Sequence, residues 1–82
     1  MRREQVSAVL VEGLEPVLGK HMARAAVDGH CASLQLVAED ISPAELDVLL
    51  HRIGLGLCLF VGREKADALV ATLLRQVNGA PP

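Results

Sequence analysis

Apolar residues recur along this chain at intervals of three and four, the periodicity of helices that bury one face. Val6, Val9, Leu10, Gly13 and Leu14 mark such a face on a first helix. Pro16 is expected to end it, because a proline pushes the residue before it out of the helical region, so Glu15 to Gly19 reads as a tight connection. A second helix, from about Lys20 to Leu34, carries a stripe of mostly small residues at Met22, Ala25, Ala26, Gly29 and Ser33, where another helix is expected to approach closely. Gly29 lowers helix propensity by roughly 1 kcal/mol relative to alanine, which points to close packing or a bend there.

After a short connector over residues 37–41, Ser42-Pro43-Ala44-Glu45 gives the strongest local signal in the chain. A serine N-cap, a proline at the first helical position and a glutamate placed to bond back to the cap together predict a helix start. Leu46, Leu49, Leu50, Ile53, Leu57 and Phe60 then follow at helical spacing. From Ile53 to Val61 the run is apolar on every side, so this half of the helix is expected to be covered from several directions. Periodicity alone leaves a buried strand as the competing assignment for that run, but the capped pattern enters it without a break and favours helix. Gly62 breaks the chain before a last helix with Ala66, Leu69, Val70, Leu73, Leu74 and Val77 on its apolar face, and Asn78-Gly79 is expected to stop it. The pattern predicts an all-α domain over residues 1–79, with four short helices in an antiparallel bundle or as paired helical hairpins, and residues 80–82 as a short tail. No internal repeat is read.

Composition changes this picture in one respect. Phe60 is the only aromatic residue, and Trp and Tyr are absent, so the core must be aliphatic and thin. Eight basic and ten acidic side chains are mixed along the chain, without the basic stripe or stacking aromatics that nucleic-acid binders use, so no nucleic-acid partner is expected. The nine-residue apolar run falls far short of the ~20 residues that span a bilayer, and no membrane association is expected. Cys31 and Cys58, with no secretory leader read at the N-terminus, are expected to be reduced thiols of a cytoplasmic protein.

Candidate chemistry is sparse. His21, His30, His51, Cys31 and Cys58 include the usual zinc ligand types, but no Cys-x-x-Cys or His-x-x-x-His spacing occurs, and no metal or other cofactor is expected. Gly54-x-Gly56 lacks the third glycine of a dinucleotide fingerprint and follows a helix, so the two glycines are expected to admit a neighbouring helix or a second copy. His51-Arg52-Ile53-Gly54 resembles, over four residues, the phospho-accepting helix of histidine phosphotransfer domains. In this chain Gly54 stands where that family usually carries a lysine. The resemblance implies His51 as a phospho-acceptor. Ala32-Ser33-Leu34 is similar to the attachment motif of acyl carrier proteins, with Ala32 in place of the family's aspartate; it implies a small acidic four-helix carrier. Scattered carboxylates and isolated hydroxyls give no catalytic constellation, and no enzyme activity is expected; Asp28 is the carboxylate whose burial would matter.

The expectation is therefore a small helical protein-protein interaction or oligomerisation module of bacterial type, regulatory in role. It is expected to form a homodimer or to dock on another protein through Leu55, Leu59, Phe60 and Val61. A histidine phosphotransfer domain using His51 is the alternative, together with an acyl-carrier-like domain or one with a pocket for a small apolar ligand.

Overall fold

In the computed structural model, which describes residues 1–79, the chain forms four helices: α1 (Arg3–Leu18), α2 (Lys20–Ser33), α3 (Pro43–Val61) and α4 (Arg63–Gly79). The expected tail at residues 80–82 lies outside the described residues. At the start of α3 the capping box forms as the sequence indicates. The Glu45 N–H donates to Ser42 Oγ at 3.1 Å, and the Ser42 N–H donates to Glu45 Oε1 at 2.9 Å. The run from Ile53 to Val61 is helix, not strand.

Pro16 does not end α1. It lies in the last turn, where its missing N–H removes a single bond, and the Gly19 N–H continues the helical register by donating to Glu15 O at 2.8 Å. The true stop is Gly19, with φ +81°, and Gly62 has an almost identical φ of +86° between α3 and α4. Each is a single residue that reverses the chain between two helices, in a backbone region that side chains rarely adopt. At the other end, α4 runs to Gly79, the last of the described residues.

The helices pack as paired hairpins. α1 lies mainly on α2 and α3 mainly on α4, while α1–α4 and α2–α3 form two lighter seams. Exchanging α1 with α3 and α2 with α4 maps this contact pattern onto itself. An offset of 43 residues carries Gly19 onto Gly62. Buried Val6, Leu10, Leu14 and Ala23 fall on buried Leu49, Ile53, Leu57 and Ala66, and Gly13 falls on Gly56. The two hairpins thus share one plan at these core positions, and differ at others: buried Val11 falls on Gly54, and buried Leu50 on Ser7.

One apolar cluster draws on all four helices and on Leu36 and Ile41 of the connector. The connector is stitched to the start of the chain, where the Arg3 N–H donates to Glu39 O at 2.7 Å and the Ile41 N–H donates to Met1 O at 2.6 Å. In α2 the buried face is Ala23, Val27 and Cys31, not the small-residue stripe, which is mostly exposed. Val27 supplies more apolar area per turn than glycine or serine, and burial follows area. Gly29 has nothing within 4 Å of where a side chain would start, so the close approach expected there is absent. It occurs instead at Gly13, where a methyl group would collide with Leu73 Cδ2, and at Gly54, where it would stand 3.0 Å from Val70 Cγ2.

Candidate interaction surface

The outward face of α3 is where apolar residues and solvent meet. Leu46, Leu49, Leu50, Ile53 and Leu57 supply the buried stripe, and α4 and α2 cover only its flanks. Leu55 is 57% exposed, Leu59 89% and Phe60 66%. Phe60, spaced as part of the core stripe, is not in the core: it stands at the edge of the α2–α3 groove and stays exposed. The expected cover over the apolar half of α3 is thus incomplete. Val61 is half-buried and packs against the core, so of the four expected contact residues three are available to a partner.

Val48, 49% exposed, extends the face toward the helix start. Val48, Arg52, Leu55 and Leu59 follow one another at intervals of four, three and four, the spacing of a coiled-coil seam. Arg52 is exposed, and its Nη1 donates to Ser33 Oγ at the end of α2 at 3.5 Å.

Three concavities border the seam. Between α2 and α3 lies a groove of about 300 Å³ floored by Ile53 and Leu57, with Met22 and Phe60 at its rim and His30 beside Gly56. At the same offset of 43 residues His30 stands where α4 has Leu73. Leu73 fills the notch over Gly13, whereas His30 Nε2 stays 4.0 Å from the corresponding position on Gly56. The α1–α4 seam carries a groove of its own, of about 620 Å³, lined by Val9, Glu12, Pro16, Thr72 and Arg75. On the α4 side a groove of about 490 Å³ contains His51, Leu55, Cys58 and Arg63. Near the start of α3 a shallower notch of about 240 Å³ is lined by Leu34, Leu36, Ala44, Glu45 and Val48.

The remaining candidate residues are dispersed. His51 is exposed, and Arg63, which lines the same groove, lies 3.9 Å from Asp67 in an exposed pair. Ser33 is exposed at the end of α2 and accepts from Arg52. Asp28 is exposed. No group of three His, Cys, Asp or Glu residues comes together as a metal site among the described residues. Both cysteines are free, Cys31 buried and Cys58 half-buried. Burial pushes the Cys31 thiol pKa up, and the charge of Asp28 adds to the shift, against smaller opposing effects of Arg3 and a hydrogen bond with Ser7.

Among the described residues no helix is long and apolar enough to cross a membrane. Compared with known proteins, the chain matches no family model, no curated protein and no solved structure. Its fold and surface define a four-helix protein of two stacked hairpins with an uncovered apolar seam on α3.

Proposed function

We propose that this protein is a self-associating helical interaction module, a homodimer whose subunits meet through the outward face of α3. The observation that carries this reading is the exposure of Leu55, Leu59 and Phe60 together. Single exposed leucines are ordinary on soluble proteins. Here Leu55 and Leu59 lie one turn apart on one face and Phe60 adjoins Leu59, and contiguous patches of a few hundred Å² mark contact sites. Burying a large aliphatic side chain contributes roughly 1.5–3 kcal/mol, and a two-fold contact buries each residue twice. A net charge of -2 opposes the approach of a second copy only weakly. Two free thiols suit a reducing, cytoplasmic setting, and the role is regulatory binding, not catalysis.

Sedimentation equilibrium of the wild type and of Leu59→Asp tests this reading. The substitution places a charge where apolar surface is being desolvated, so it should weaken association at least tenfold while leaving helicity intact. Equal association by the two proteins would contradict the proposal.

A second reading rests on His51, which is exposed in the α4-side groove that Arg63 also lines. Treatment with phosphoramidate and peptide mass spectrometry separates the two. The interaction module should label His51 no faster than the exposed His21, whereas selective labelling of His51 would support phosphotransfer.

A further inference from the structure

Resting on the self-association proposed above, we infer that two copies pack α3 against α3 in antiparallel, with Leu59 of each seated in the notch lined by Leu34, Leu36, Ala44 and Val48 of the other. Leu59 is the most exposed of the large apolar side chains, and the notch is an apolar depression on the same helix. Val48 and Leu59 are eleven residues apart, about 16 Å along the axis at 1.5 Å per residue. A two-fold axis midway between them, beside Ile53 and Gly54, carries each projection onto the other copy's depression at once. One contact is thereby made twice, which is the requirement of a closed, self-complementary dimer.

Charge agrees with this direction. Glu45 borders the notch, and Arg63 follows Leu59 just past the Gly62 reversal. Antiparallel packing brings the Glu45 end of one α3 to the Arg63 end of the other. It also sets the positive end of each helix dipole beside the negative end of its neighbour. In a parallel pair Glu45 would face Glu45 and Arg63 would face Arg63. Arg52 is the one polar position of the seam, near the axis, where a charged residue lowers affinity but fixes register.

Opposite charges placed at the two contacting positions test the direction. Val48→Glu and Leu59→Lys are both made at exposed sites, so circular dichroism and thermal melting confirm that each variant remains folded. Sedimentation equilibrium then compares Kd values. Each single substitution should weaken the dimer about tenfold or more. The double variant should bind at least tenfold more tightly than either single one, because the introduced carboxylate of each copy then meets the introduced ammonium of the other. Arg52→Leu should tighten the dimer about tenfold by removing the charge from the seam. A double variant no tighter than the single ones, as a parallel seam would give, overturns the inference, as does a Kd unmoved by Val48→Glu or Arg52→Leu. Those results would leave self-association through Leu59 standing. A monomeric wild type would remove both.

Discussion

Gly13 and Gly29 both lie within helices, but alanine should affect them in opposite directions. At Gly29 the added methyl enters open space, and the gain in helix propensity should raise unfolding stability by about 1 kcal/mol. At Gly13 the same gain is offset by collision with the side chain of Leu73, which is fully buried. Overpacking costs roughly 1–3 kcal/mol, so Gly13→Ala should show a net loss in urea denaturation. Stabilisation by Gly13→Ala would mean that the α1–α4 seam is looser than described. Cys31 gives a test in pH. Its thiol is raised from 9.0, so the folded state keeps a proton that the unfolded chain releases. The resulting contribution to stability is complete below pH 9 and declines as the pH rises above it. Cys31→Ala should flatten that alkaline decline, and an unchanged slope would show that the decline comes from another group.

At the scale of elements, Ser42→Ala removes the hydroxyl that accepts from the Glu45 N–H and should lower stability by about 1 kcal/mol. An unchanged midpoint in thermal unfolding would contradict the cap. This helix start was legible because capping is local: four consecutive residues decide it. So was the existence of four helices, since each apolar face spans several turns. The end of α1 was misread at Pro16 because the effect of a proline depends on how many turns follow it, and here the helix has only its last residues left to form. The buried face of α2 was misread for a different reason. A stripe of small residues and a stripe containing Val27 both fit helical spacing, and only the position of α1 selects between them. Leu55 and Leu59 were legible as contact residues because they fall outside the helical spacing of Leu46, Leu49, Leu50, Ile53 and Leu57. Val48 and the notch beside it were missed, because the notch is completed by Leu34 and Leu36, which reach α3 only through the fold of the connector.

For the whole molecule, the two hairpins share a plan in the core but differ on their outer faces. Two hairpins of like design meet through two seams, with Leu73 over Gly13 at one and His30 beside Gly56 at the other. The offset of 43 residues sets Val9, Glu12 and Pro16 of α1 opposite Arg52, Leu55 and Leu59 of α3. One hairpin therefore presents a mixed outer face and the other an apolar one, and a contact through α3 is not duplicated by α1. This asymmetry favours a closed dimer over a chain of subunits. The most direct test is the mass of the wild-type protein by light scattering during size exclusion, from low to high micromolar concentration. The expected result is a rise toward twice the 8.7 kDa chain mass, with no larger species; a constant 8.7 kDa at high micromolar concentration would contradict the account.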